Sequence, residues 1–565
     1  MNDFIQTTWI KPPHQIGGLD HLGVQAPCIQ IYGDLLPGIT NVTDRARYYS
    51  FYPWLLAQFE AKGWRTDDQL VTMLRKAECL LTLIALNHAH ESGGASENHR
   101  AAMVGNDTLV GALDIILEGN TIRLSDYTHT ENGRKNRYFK NPYGALAQYY
   151  FGTLRGLGLL RGDSPKTMRL PKETGSVLAS IVARQVPGDL FIEMLIKDQI
   201  NQNNLSELFL FCPCQLAQAT EEVESLIGIM LHGWTELHPN GSQSIEEELA
   251  SKVRSKSLAY LCILTEHAAE EKVNFDTLSF RGYSYCVHSK SGNRLKLPES
   301  LNTAIRHWQS YQRNEILSIA LQGLFFAQLH SAYLYASELT YPPFSNTSEL
   351  SHWFWQTSAG AIALQSWTTN TAGGVLLEIS EGLPGFGDWT NDQHEIQCMD
   401  RVVRTTRGSE VNQDKLVDIV RDCLNILSAV IGRPENKLGY DEHIFPENYL
   451  DYYPVNLSSV MKNWNSNISN KETVKGFSLF TLTNCLDAHL RIAMRKLSQQ
   501  GKNTFRFEPS ELGLIIKNIP AAANTTPRFR QAKRILLDLG LLSSSNEDQL
   551  THITPRGKEF VEAAL

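Results

Sequence analysis

The stretch that most constrains this chain is residues 477–565, where helix, strand and turn signals follow in a definite order. Residues 477–498, FSLFTLTNCLDAHLRIAMRKLS, place Leu479, Leu482, Leu486, Leu490, Ala493, Met494 and Leu497 at helical spacing. Gly501 ends that helix. Thr504–Phe507 alternates and is aromatic, which predicts a short strand. Ser510, behind Pro509, is the expected cap of a second helix with Leu512, Ile515, Ile516 and Ile519 on its apolar side. Thr525 or Thr526 would cap a third, PRFRQAKRILLDLGLL, with Pro527 in its first turn and Gly540 closing it. Leu541-Leu542, a polar turn over Ser543–Asp548 and LTHIT then predict a hairpin, and Pro555 opens a last short helix.

Helix, strand, helix, helix, strand, turn, strand is an order that resembles the winged helix-turn-helix family. The resemblance implies that the first turns of the third helix enter the major groove. The cations there are Arg528 and Arg530, with Lys533 and Arg534 behind them, and phosphate contacts of this kind are driven by counterion release. Glu547 and Asp548 in the following turn would oppose a phosphate. A winged helix also serves as a protein-docking block, so the fold alone does not choose between DNA and protein.

A similar ending occurs earlier. Leu157-Gly158-Leu159-Leu160 matches Leu539-Gly540-Leu541-Leu542, and Gly175 follows Leu160 by as many residues as Gly557 follows Leu542. A second winged-helix-like module over 131–185 is therefore expected. Its approach, GRKNRYFKNPY, interleaves Arg134, Lys135, Arg137 and Lys140 with Tyr138, Phe139 and Tyr143, and its turn adds Arg161, Lys166 and Arg169. Cations that hold phosphate beside rings that stack on bases suit nucleic acid. A solvated loop with core aromatics reads the same way.

The chain has 565 residues, too many for one core. The reading is a mainly α, multidomain helical protein. It comprises an N-terminal helical domain (1–130), the 131–185 module, a central helical domain (186–340), an aromatic and glycine-rich lobe with a helical connector (341–475) and the C-terminal winged helix (476–565). A net charge of −8 restricts any nucleic-acid contact to a local patch. Nine scattered cysteines, no signal-peptide pattern and no membrane-length apolar run predict a cytoplasmic protein without membrane partners.

In chain order, APCIQIY reads as a strand, and Thr43 as the cap of a helix from Asp44 that Pro53 kinks. Asp44, Arg45 and Arg47 beside that aromatic helix are either a phosphate grip or capping and surface charges. The opening LLPGITNVTDRARYYSFYPWLL is similar to openings of uncharacterised bacterial proteins from phage-defence gene clusters, which implies a setting and no mechanism. His307–Leu339 is expected as a central helix. Trp353, Phe354, Trp355, Trp367 and Trp389 are core or pocket residues, and DEHIFPENYLDYYPVN (Asp441–Asn456) is an acidic connector.

No strong catalytic constellation emerges, so no catalytic residue is assigned. There is no P-loop, HExxH or paired CxxC. His88 and His90, two residues apart on a helix, point to different sides. Cys212-Pro-Cys214 and Cys286-Val-His288 would supply four soft ligands only if folding joined them. His288-Ser-Lys290 has the HxK of phospholipase-D-type nucleases without their aspartate. Asp189, Glu193 and Lys197 share a helical face as a nuclease set or as surface ion pairs. No metal or cofactor is expected. The expected role is a nucleic-acid-binding or scaffolding subunit of a bacterial multi-protein system of the anti-phage kind, with DNA and proteins of the same gene cluster as partners. The alternatives are a protein-assembly subunit without nucleic-acid contact and a metal-dependent nuclease.

Overall fold

Helices dominate the chain, and among the described residues three sheets occur, each two-stranded. The structure is a computed structural model and describes residues 20–64, 67–93, 99–232, 245–339, 342–437, 455–544 and 550–565. The mainly α reading therefore stands. The chain divides into two compact units. The first comprises Met1–Tyr32, Leu278–Leu297 and Ile305–Thr526, and the second Gly33–Thr277, Pro298–Ala304 and Pro527–Leu565. These units cut across the expected segments. Residues 131–185 join the second unit with their neighbours on both sides, and the 476–565 tail is divided at Thr526/Pro527. The segment APCIQIY, expected as a strand, begins α1 (Ala26–Leu35).

In the second unit, α2 (Arg47–Ala61) is buried on every side from Arg47 to Leu56. A helix apolar all round is a core helix, and the tyrosine hydroxyls on this one all find partners. Tyr48 Oη accepts from Val104 N at 3.0 Å, Tyr49 Oη donates to Gly38 O at 3.0 Å, and Tyr52 Oη donates to Glu78 Oε1 at 2.9 Å. Thr43 does not cap this helix; its hydroxyl accepts from Thr40 N in the turn before it. Next comes α3 (Asp67–Ser92), with Asp67 and Asp68 in its first turn, where the helix dipole favours acids. β1 (Ile122–Arg123) pairs with β2 (Gln199–Ile200). Between them lie α4 (Phe151–Gly156) and α5 (Gly175–Ala183). α6 (Thr220–His232) and α7 (Ile245–Glu270) follow and pack together.

The first unit receives Arg281 from α8 (Thr277–Cys286) and is built on α9 (Asn302–Ser337), of which residues from Ile305 onward belong to it. Arg281 meets Glu315 at 3.0 Å, both buried, and Glu315 also accepts from Thr525 N and Oγ1 at 2.7 Å. By length and composition Glu299–Ser337 could cross a membrane, but 83% of its apolar window is buried in the molecule, as a central helix requires. α10 (Thr347–Thr357) carries Phe354 and Trp355 into the core, and Trp389 is buried as well. Those aromatics are packing. α11 (Glu395–Thr406) lies on α12 (Gln413–Gly432), and α10 lies on α13 (Thr473–Thr481), which leads through a π-turn into α14 (Asp487–Gln500). The acidic connector, up to residue 454, falls outside the described residues.

Residues 507–516, expected to hold the second helix of the tail, form instead a hairpin of β3 (Phe507–Ser510) and β4 (Gly513–Ile516). Gly513 sits at φ +136, which no helix tolerates, and Leu514 N donates to Phe344 O at 2.8 Å. Phe507 and Leu514 are buried while Leu512 and Ile515 are exposed, so the two-residue period prevails over the helical one.

The tail re-enters the second unit as α15 (Phe529–Asp538), β5 (Leu542–Ser544), β6 (Thr551–Ile553) and α16 (Pro555–Ala564). This copies the local geometry of residues 151–183. Gly158 and Gly540 both end their helices at positive φ, +70 and +67. Leu159 N returns to Leu154 O at 2.8 Å and Leu541 N to Leu536 O at 2.9 Å. Thr174 Oγ1 donates to Gly158 O at 2.5 Å and Thr554 Oγ1 to Gly540 O at 2.8 Å. A Cβ on Gly175 would collide with Leu159 O, and one on Gly557 with Leu541 O. The two glycines in sequence register thus do the same work, letting a helix start pass against the carbonyl of the residue just after the glycine that ends the preceding helix. α5 and α16 both pack on α6.

Candidate nucleic-acid interface and a cluster of soft ligands

The four tail cations have different surroundings. Arg528 is the N-cap of α15 at φ +56 and donates to Gly33 O, in the last turn of α1, and to Leu36 O just beyond it, at 3.4 and 3.1 Å. Lys533 Nζ donates to Phe275 O at 2.8 Å, and burial holds its ammonium below the usual lysine range, with Asp276 opposing. Arg534 pairs with Asp44 Oδ2 at 2.7 Å. Arg530 is exposed. Three of the four cations assigned to a groove-reading edge are therefore half-buried, with their head groups bonded within the second unit, because α15 docks through Phe529, Ala532, Ile535 and Leu536 beside them. Glu547 and Asp548 lie outside the described residues.

The earlier copy presents its cations outward. Arg134, Lys135 and Lys140 are exposed, and Arg137 is half-buried with Nε donating to Thr130 O at 2.7 Å. Phe139 is core and cannot stack on a base. Tyr143 Oη donates to Asp67 Oδ1 at 3.0 Å, and Lys166 Nζ meets Asp67 Oδ2 at 3.2 Å. The tyrosine first, then the lysine, hold the Asp67 carboxyl below its usual range. Asp67 thereby joins the 133–143 loop to the Arg161–Arg169 hairpin. In that hairpin Arg161 and Arg169 lie directly opposite, each backbone N–H donating to the other's carbonyl at 3.0 Å, and both side chains are exposed. Like charges directly across a ladder are destabilising. At the corresponding place in the second copy Ser543 faces His552.

Arg45 and Arg47 are not a phosphate grip. Arg45 binds Asp538 through Nε and Nη2 at 3.0 and 2.8 Å and donates to Ala101 O at 3.1 Å. Arg47 binds both Glu222 oxygens at 2.6 and 2.7 Å and donates to Leu210 O at 2.8 Å. Each arginine is buried and neutralised. The proposed nuclease set resolves into an exposed Glu193–Lys197 ion pair one turn apart.

Cys286 and His288 belong to the first unit and Cys212 and Cys214 to the second. The second unit pairs its cysteines with other histidines. His88 near the end of α3, His99, Cys212 and Cys214 place one ligand atom each within 4.8 Å of all the others. Cys214 Sγ lies 3.2 Å from His88 Nδ1, Cys212 Sγ lies 3.5 Å from His99 Nδ1, and the two sulfurs are 3.5 Å apart. The Cys212 thiol, then the Gln215 amide and the two imidazoles, hold the Cys214 thiol below its ordinary range. Burial holds the His99 imidazole below its own. The spacing comes from two turns: Pro213 opens a 3-10 helix (Pro213–Gln218), folding Cys214 back toward Cys212, and Arg47 holds Leu210 just before it. Arg45 holds Ala101 just after His99, and Thr82 Oγ1 donates to Val104 O at 2.7 Å. Sequence reasoning names no metal site here because it weighs His88 against His90, its neighbour along the helix, and not against residues brought in by folding. The CxC spacing was the one local signal. No family model, curated protein or solved structure matches the chain.

Proposed function

We propose that this protein is a nucleic-acid-binding subunit that contacts phosphates through its earlier helix–hairpin–helix copy. The observation that carries the reading is the exposed Arg161–Arg169 pair, two cations placed directly opposite at a cost in stability that an anion between them would offset. Arg134, Lys135, Lys140 and Lys166 extend the cationic surface through the junction at Asp67. The test is fluorescence anisotropy with a labelled duplex and a labelled single strand. Replacing Arg161 and Arg169 together by serine should weaken binding by at least about tenfold while leaving the fold slightly more stable. Arg530→Ser should change little. Unchanged affinity in the double variant would defeat the proposal.

The bonding of Arg528, Lys533 and Arg534 within the second unit favours a second reading for the tail alone: it is an assembly element of that unit rather than a groove reader. The defence setting remains a proposal resting on the opening sequence.

A further inference from the structure

We propose that His88, His99, Cys212 and Cys214 hold one Zn²⁺ ion as a closed, structural site. The site is independent of nucleic-acid binding. A tetrahedral zinc with sulfur ligands at about 2.3 Å and nitrogen ligands at about 2.0–2.1 Å keeps its donor atoms about 3.3–3.8 Å apart. The cluster already has 3.2, 3.5 and 3.5 Å along three of its edges. Thiolate and imidazole select zinc over magnesium or calcium, which require oxygen.

Charge favours the same ion. Binding releases the two thiol protons to solvent, and two thiolates with two neutral imidazoles cancel a divalent cation. No net charge is then left at a site where Cys212 and His99 are buried. Four protein ligands fill the tetrahedron, so the ion is a staple and not a catalyst. It ties the end of α3, through His88, and the segment at His99 to the turn at Pro213, across sequence separations of 126 and 113 positions, where closing a long loop stabilises most. Groups that orient two of the ligands are already in place. Ser92 Oγ lies 3.4 Å from His99 Nε2, and the Gln215 amide lies 3.3 Å from Cys214 Sγ.

The experiment is elemental analysis of the full chain after purification without chelator and dialysis against trace zinc. About one zinc per chain is expected. Replacing zinc with cobalt should give the sulfur-to-cobalt charge-transfer and intense visible bands of a tetrahedral thiolate site. Cys212→Ser/Cys214→Ser and His88→Ala/His99→Ala should each lose stoichiometric metal, whereas Cys286→Ser should keep it. His88→Cys, which preserves a soft donor, should retain the ion with a changed cobalt spectrum. Stripping zinc from the wild type should lower its melting temperature, and adding zinc back should restore it. Folded wild-type protein that holds no zinc, or a double cysteine variant that still holds one per chain, would overturn the proposal, and neither result depends on a variant that fails to fold.

Discussion

Single side chains carry much of the second unit's order. Arg47 and Glu222 are both fully buried and hold each other by two bonds. Removing one partner of such a pair strands a charge, which costs about 3–5 kcal/mol. Arg47→Ala should therefore lose that amount in chemical denaturation, while Arg530→Ala should stay within about 0.5 kcal/mol of wild type. Glu78 makes a different prediction. Burial raises its carboxyl to about 7 although Ala145 N, Leu146 N and Tyr52 Oη all donate to it. The folded chain then binds a proton that the unfolded chain has released, between the ordinary glutamate value and about 7. Stability contributed by this group is full below that window and falls as pH rises through it. Glu78→Gln should flatten the loss between about pH 5 and about pH 8, by no more than roughly 2–3 kcal/mol. An unchanged pH profile in the variant would contradict the assignment. Residue chemistry of this kind was hard to foresee. Arg45 and Arg47 read as surface charges because the partners Asp538 and Glu222 lie far along the chain.

At the scale of elements, the repeated helix–hairpin–helix was legible from four residues and one glycine spacing. It was legible because each glycine answers a local steric demand: a left-handed helix end at Gly158 and Gly540, and a carbonyl in the way at Gly175 and Gly557. The β3–β4 hairpin was not legible, since Leu512, Ile515, Ile516 and Ile519 fit a helical stripe as well as a strand and only the pairing across Gly513 decides. The glycines supply a paired test by thermal or chemical unfolding. Gly175→Ala and Gly557→Ala should each destabilise by about 1–3 kcal/mol, as overpacking does. Gly152→Ala in α4 meets nothing within 4 Å and should gain up to about 1 kcal/mol from helix propensity. Equal effects at all three would mean that the close approaches are not real.

Across the whole molecule, a chain of net charge −8 can bind a polyanion only by concentrating cations locally. The described surface exposes Arg134, Lys135, Lys140, Arg161 and Arg169 on the earlier copy, whereas of the four tail cations Arg530 alone is exposed. Positions of charges in the sequence showed where cations occur, and docking of α15 decided which of them reach solvent. The most direct measurement of the account is the salt dependence of duplex binding by the full chain. Each phosphate neutralised contributes close to −0.9 to the slope of log affinity against log salt. Engagement through the exposed cations predicts a slope of roughly −3 to −6 that becomes shallower by about two when Arg161 and Arg169 are both serine. A slope near zero, or one that the double substitution leaves unchanged, would contradict it.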